Sequence, residues 1–327
     1  MIEALIDYGL FLAKTLTLLF GIGFLLLFLL RARKAASSLE EDRLEIVPLN
    51  KHYRNLAHQL KRASLGHKDF LKFLKSEDKA KKKAEKKKDP KKRLFVLDFH
   101  GDIKATETAA LRELITCILL EAQEDDEVLL RLENAGGLVN EHGFAAAQLL
   151  RLRSKGLRLT VSVDRVAASG GYLMAVVADR IIAAPFAVLG SIGVVAQLPN
   201  FHRVLERQGI EYELHTAGEY KRTLTLFGEN TEEGRAKVRE QLEAIHSLFK
   251  AFIEEHRPHL DLARVATGEY WHGQQALELG LIDAIETSDD FLLAAARERA
   301  LYKIAYHAHK RPLERLLAAV QSAFLRY

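Results

Sequence analysis

Three glycine-rich turns in this chain each follow a predicted strand and carry polar groups where a helix begins. They are Asn134-Ala135-Gly136-Gly137, Ala168-Ser169-Gly170-Gly171-Tyr172 and Gly190-Ser191-Ile192-Gly193. Ser169 is flanked by residues of little side-chain bulk, which exposes a hydroxyl and lets a substrate backbone approach closely. Amides at a helix N-terminus favour developing negative charge. Gly136 and Gly137 can present backbone N–H groups to a tetrahedral oxyanion, where one donor is worth about 2.7–4 kcal/mol. A serine hydroxyl is nevertheless a poor nucleophile without a base. No histidine is obviously placed for that task, and the G-x-S-x-G elbow is absent because Ala167 stands where it needs a glycine. Lys221, in the segment AGEYKR, is the alternative base. An ordinary lysine has a pKa of about 10.4, so a lysine base has to be desolvated to be neutral near pH 7. Ser191 can orient such an amine by a hydrogen bond. Taken singly, Ser169 reads as a helix cap and Lys221 as a solvated surface charge.

The elements that would position these residues alternate. RLFVLDF, EVLLRLE, LRLTVSV and DRIIAA read as short apolar strands, with helical patterns over 107–122, EHGFAAAQLLRLR and GYLMAVVA between them. That alternation predicts an α/β domain with a largely parallel sheet. Thr231 is placed to cap a long helix that ends near Arg257 before Pro258, and Gly280 to end a helix begun after Trp271. The apolar stretch 166–198 is broken by Asp179, Arg180 and Pro185, which fits a buried core better than a second membrane span. Residues 312–327 read as an amphipathic helix.

The chain has 327 residues, 48% of them hydrophobic and 28% charged, with a formal charge of +4. The charge is uneven: residues 79–93 hold ten Lys/Arg against two acids, so the remainder is slightly acidic and the basic balance carries no implication of nucleic-acid binding. One cysteine, Cys117, excludes an intrachain disulfide framework. From Tyr8 to Leu30 the sequence carries a single charge, Lys14, and is long enough as a helix to cross a bilayer. Glu3 and Asp7 are unlike the basic start of a cleaved signal, so the segment predicts an uncleaved anchor over 1–34. Residues 35–93 predict a charged, mostly helical connector, and 94–327 the catalytic part.

The combination of motifs resembles the S49 peptidase family, the signal peptide peptidase A group. The pieces that carry it are RVAASGGYLMA around Ser169, LGSIGV around Ser191, GEYKR around Lys221 and WHGQQALELGLIDAI near the end. The resemblance covers about residues 94–305, and the anchor with its basic connector suits the SohB-like branch. It implies a ClpP/crotonase-like α/β fold of repeated ββα units and a serine endopeptidase working through an acyl-enzyme. Ser169 would attack, Lys221 would take and return the proton, Ser191 would hold Lys221, and the turn at Gly136–Gly137, chiefly the Gly136 N–H, would supply the oxyanion donor. It further implies a homo-oligomer, no cofactor or metal, peptide or unfolded-protein substrates, and residence in the bacterial inner membrane. Arg31, Arg33 and Lys34 place the following domain in the cytoplasm by the positive-inside rule, whereas the family acts largely outside it, so the face stays open.

One departure from the family stands out: Asn134-Ala135 occupies the place of Ser-Pro, with both glycines kept. Two rival readings follow. A crotonase-like acyl-CoA enzyme shares the paired oxyanion glycines but has no need of a Ser-Lys pair. An inactive membrane scaffold draws its support from the altered turn alone. The pair His256 and His259 is split by Pro258 and makes a poor metal site, and His100 with Asp102 reads as a polar loop end.

Overall fold

The computed structural model describes residues 9–24, 43–85 and 92–307. Residues 9–24 form helix α1, with exposed leucines and phenylalanines. Among the described residues no helix is long and apolar enough to cross a membrane. The span expected over 8–30 extends beyond the described residues, and the helix expected over 312–327 lies outside them.

Contacts divide the chain into a unit of residues 1–44 with 306–327 and a larger one, Glu45–Ala305, which holds the site. Strand β1 (Arg43–Pro48) leads into helices α2 (Leu49–Ser64) and α3 (His67–Glu85). Strand and helix then alternate through β2 (Arg93–Gly101), α4 (Thr108–Glu121), β3 (Glu127–Asn134), α5 (Val139–Ser154) and β4 (Arg158–Val163). Strand β5 (Val166–Ala168) and helix α6 (Gly170–Ala175) hold Ser169 between them. Strands β6 (Arg180–Ala183) and β7 (Val188–Gly190) precede α7 (His202–Arg207), α8 (Glu232–His256) and α9 (Leu262–Val265). The last elements are β8 (Tyr270–His272), α10 (Gly273–Glu278), β9 (Ala284–Ile285), α11 (Ser288–Ala295) and β10 (Ala300–His307).

The strands form one mixed sheet whose main path runs β1-β10-β2-β3-β4-β6-β9. From β10 to β9 its pairs are parallel, and a branch β5-β7-β8 leaves from the end of β3, where Asn134 pairs with Ala167. The β7–β8 pair is antiparallel. Central parallel strands are covered on both faces, so their sequences are almost continuously apolar. Val96, Leu97, Phe99, Leu129, Leu130, Val161 and Ile181 are accordingly fully buried. Strand β5 occurs where the sequence pattern predicts a turn directly after β4, because three residues are too few for periodicity to reveal, whereas β7 coincides with the strand-like AVL expected before Gly190.

The stretch expected over 35–93 as a charged connector is not separate from the fold at Leu49 and Asn50. Leu49 joins a buried cluster with Leu94, Val96, Leu129, Leu292 and Leu301. The Asn50 amide donates to the carbonyls of Ala296 and Arg299 at 3.1 and 2.9 Å, and its oxygen accepts from Leu301 N–H at 2.7 Å. The first turn of α2 is thereby part of the folded core. A leucine and an asparagine amid charged residues gave no periodic signal of this.

Thr231 caps α8 as expected, its hydroxyl accepting from Gly234 N–H at 3.1 Å, and Gly280 takes the left-handed conformation (φ 77°) just beyond α10. Tyr172, fully buried in α6 beside the Ser169 turn, donates to Leu281 O at 2.9 Å.

Candidate active site

Ser169 sits at the junction of β5 and α6 with φ 52° and ψ −120°. A side chain is uncommon at positive φ and costs about 1–3 kcal/mol there, a strain that persists only where surroundings enforce it. The surroundings do so. The Ser169 N–H donates to Gly190 O at 2.8 Å, locking the turn to β7, and the Ser169 carbonyl accepts from Leu173 N–H at 3.0 Å, starting α6. Gly170 and Gly171 follow because nothing larger fits: a Cβ on Gly170 would strike the His142 ring, and one on Gly171 would strike the Asn134 carbonyl.

The turn at 134–137 lies directly against Ser169. A Cβ on Gly136, which has φ 92°, would stand 2.8 Å from Ser169 Cβ and 2.9 Å from Gly170 N. Asn134, buried at the end of β3, organises the turn through its side chain. Its Oδ1 accepts from the Gly136 N–H at 2.7 Å and lies 3.2 Å from Nε2 of the fully buried His142, while its Nδ2 reaches Met174 Sδ at 3.4 Å. The hydrogen bond to Gly136 is the self-bonding turn that asparagine favours. It gives by a side-chain contact some of the rigidity a proline ring would give. The Gly136 N–H is therefore already engaged, and the Gly137 N–H has no acceptor among the described residues. Gly137 itself is wedged against the Ile103 backbone, with Leu138 N–H donating to Ile103 O at 2.9 Å.

Ser191 mirrors Ser169, with φ 50° immediately after β7. Its N–H donates to Glu269 O at 2.6 Å, and Gly268 N–H donates to Ile192 O at 3.1 Å, so the loop before β8 clasps it. Gly190 (φ 93°) is confined by the Trp271 ring, 2.7 Å from where its Cβ would be.

Two cavities meet at Ser169. One, about 290 Å³, is lined by Val139, Ala146, Leu173, Val194, Ile245 and Phe249 among others. Helix α8 supplies its far wall through Ile245, Leu248, Phe249 and Phe252, spaced at i, i+3, i+4 and i+7 on one helix face. The other, about 650 Å³, joins Ser169 to Ser191, Gly136, Gly137 and His246. Ser169, Ser191, Gly136 and Gly137 are thus brought together. Lys221 is not: it is exposed, lines neither cavity, and lies in the irregular stretch between α7 and α8. His100 and Asp102 stand elsewhere. His100 lines a separate polar cavity with Asp98 and Arg131, and Asp102 is used by the Thr106 N–H and hydroxyl at 2.9 and 3.0 Å. Sequence reasoning missed Asn134 as the organiser of its turn, and missed His246. The apolar spacing on α8 marks the helix as facing a cavity, but nothing in the sequence singles out a histidine one position off that stripe.

The support under the site is ionic as well as apolar. Arg257, almost fully buried, makes two bonds to Asp283 at 2.7 and 3.0 Å, and Asp283 also accepts from Ile181 N–H at 2.6 Å. Burial raises the Asp283 pKa, but the hydrogen bonds from Arg257 and Ile181 outweigh it and hold the carboxylate below its usual range.

Two family signatures match the sequence, the N-terminal part of peptidase family S49 over residues 3–149 and peptidase family S49 itself over 151–302. A protein named probable protease SohB from Haemophilus influenzae is 46% identical over 320 residues, covering 94% of this chain and 90% of its own length. The chain belongs to peptidase family S49. A second probable protease SohB, from Buchnera aphidicola of Acyrthosiphon pisum, is 48% identical over 319 residues, covering 97% of this chain and 94% of the relative. Among solved structures, a variant of the 1510-N membrane-bound stomatin-specific protease with a substrate peptide overlaps with a TM-score of 0.40 and 12% identity. That overlap takes in 71% of this chain and 99% of the other. The S49 family consists of serine peptidases, and this member is a protease of that class.

Proposed function

We propose that this S49 protease is a membrane-anchored serine endopeptidase of ClpP/crotonase-like fold with Ser169 as nucleophile and Lys221 as general base. The observation that carries the reading is the strained turn of Ser169, pressed onto a glycine loop and opening into an apolar cavity. Ser169 Oγ attacks the peptide carbonyl as Lys221 takes its proton. The tetrahedral oxyanion then accepts from the Gly137 N–H, joined by Gly136 if Asn134 releases it. Lys221 returns the proton to the leaving amine, and water hydrolyses the acyl-enzyme by the reverse sequence. Ser191 orients the lysine amine at the cavity wall. An apolar side chain beside the scissile bond fits the 290 Å³ cavity, and peptides from signal-sequence remnants or misfolded proteins supply such side chains.

Lys221 has to reach Ser169 for this chemistry. Its segment exposes Phe201, Val204, Ile210, Tyr212, Leu214 and Phe227, an apolar arm suited to packing on a neighbouring copy. In our reading the protease is a homo-oligomer in which the arm of one copy completes the site of the next. Residues 8–30 anchor it in the inner membrane, a reading supported by the continuous helix α1 with its exposed apolar side chains.

The test uses the full chain in detergent with casein as substrate. Cleavage should be abolished by Ser169→Ala and lowered about 10²–10⁴-fold by Lys221→Ala, the range lost with a general base. Mixing the two inactive variants should restore part of the activity. Equal cleavage by native and Ser169→Ala protein would refute the nucleophile. Full activity of Lys221→Ala would refute the base.

A further inference from the structure

Helix α3 carries two rows of side chains that meet different surroundings. Phe70, Phe73, Leu74 and Glu77, at i, i+3, i+4 and i+7, are half-buried. Two of them grip α2: Glu77 pairs with His58 at 2.6 Å, and Phe73 takes the His58 ring edge-on and Lys61 Nζ 3.6 Å from its centre. The second row is Lys68, Lys72, Lys75 and Lys79, at i, i+4, i+7 and i+11, all exposed. At about 100° and 1.5 Å per residue these four stay within about 60° of arc and run about 16 Å along the helix. Asp69 and Asp78 lie about 90° to either side of the row. Asp69 reaches Lys72 at 3.2 Å, but both side chains are exposed and such a pair contributes little. Lys68, Lys75 and Lys79 have no acidic partner among the described residues. Like charges four residues apart repel on a helix, so the row is matched by a partner that offers negative charge over an area and not at one point.

We infer that the lysine row of α3 docks on the anionic headgroups of a lipid bilayer and holds the peptidase unit at its surface. Each lysine near such a surface strengthens binding about fivefold at physiological salt. The chain also keeps the row within reach of a bilayer. Eighteen residues, 31–48, separate the anchor read over 8–30 from α2, and fully extended they span at most about 65 Å. A tether of that length turns docking into an intramolecular step at high effective concentration. The inference rests on the membrane reading of residues 8–30 and is independent of the roles given to Ser169 and Lys221.

The test follows α3 itself in the full chain. Cys117→Ala removes the native thiol, and Ser76→Cys, on the exposed side of α3, carries a nitrobenzoxadiazole label. The protein is reconstituted in phosphatidylcholine vesicles of graded phosphatidylglycerol content, with a headgroup nitroxide as quencher. Quenching should rise with phosphatidylglycerol and be reversed by about 0.5 M NaCl, which shortens the screening length to about 4 Å. At the composition giving half-maximal quenching, Lys68→Gln with Lys75→Gln should lower the docked-to-undocked ratio about 25-fold, since glutamine keeps the helix and loses the charge. Arg203→Gln with Arg207→Gln, a charge-matched pair on α7, should leave that ratio within about twofold. The inference is overturned if quenching is the same without phosphatidylglycerol, if the lysine changes leave it unaltered, or if the α7 pair lowers it as much. A label shifted by soluble polyglutamate and not by phosphatidylglycerol overturns it in favour of an acidic protein. Failure to float with pure phosphatidylcholine vesicles refutes the anchor instead, and flotation with phosphatidylglycerol vesicles, lost on changing Lys68 and Lys75, still decides the row.

Discussion

The strain at Ser169 can be read out by comparing two variants that both lack the hydroxyl. Ser169→Ala keeps a Cβ at φ 52°, whereas Ser169→Gly removes it from a conformation glycine adopts freely. A non-glycine residue held in such a region costs about 1–3 kcal/mol, which the glycine variant recovers. Against this, glycine makes the unfolded chain more flexible, a penalty of about 0.4–1 kcal/mol. Nothing else changes sides, because the backbone bonds of residue 169 to Gly190 and Leu173 do not involve its side chain. The glycine variant should therefore be the more stable by about 1 kcal/mol. For a domain of this size that is a Tm about 2–4 °C higher in a thermal melt of the full chain in detergent. Both variants should be inactive. If Ser169→Gly melts at or below Ser169→Ala, the turn stores no strain and the reasoning fails.

Three further outcomes follow from the surrounding geometry. Asp283→Asn leaves the buried Arg257 charge unpaired and should destabilise the protein by about 3–5 kcal/mol, read by urea unfolding. Because the folded-state pKa of Asp283 is depressed, its stabilisation is fully present above the unfolded value and lost as pH falls through the lower folded value. The native protein should therefore lose stability below about pH 4, and the Asn variant should show a shallower acid limb in a Tm-against-pH series. Gly137→Ala drives a Cβ into the Ile103 backbone and should cost about 1–3 kcal/mol while lowering casein cleavage sharply. Unchanged cleavage would place the oxyanion elsewhere.

How much of this was legible in the sequence differs by element. The strands β2, β3, β4 and β6 were legible because a two-faced parallel strand is apolar along its whole length. The cap at Thr231 and the glycine beyond α10 were legible because each is a local rule. Strands β5 and β8 were not, since three residues carry no periodicity and their pairing joins distant segments. In the site, the three turns were visible as glycine clusters, and the fold does gather Ser169, Ser191, Gly136 and Gly137. The hydrogen bond that occupies the Gly136 N–H was not visible, because it depends on where the Asn134 side chain points once β3 ends. Nor did the sequence show that Lys221, in the irregular stretch between α7 and α8, stands exposed and lines neither cavity at Ser169.

The clasp on Ser191 also bears on when the enzyme can first act. The Ser191 N–H is held by Glu269, the Gly190 face by Trp271, and β7 by β8, all roughly 80 residues further along the chain. A ribosome adds about 5–20 residues per second, so this clasp emerges about 4–16 s after the serine turns have been made. Until then β7, to which the Ser169 N–H is tied, is an unpaired edge. A nascent chain therefore carries both serines without the frame that strains them.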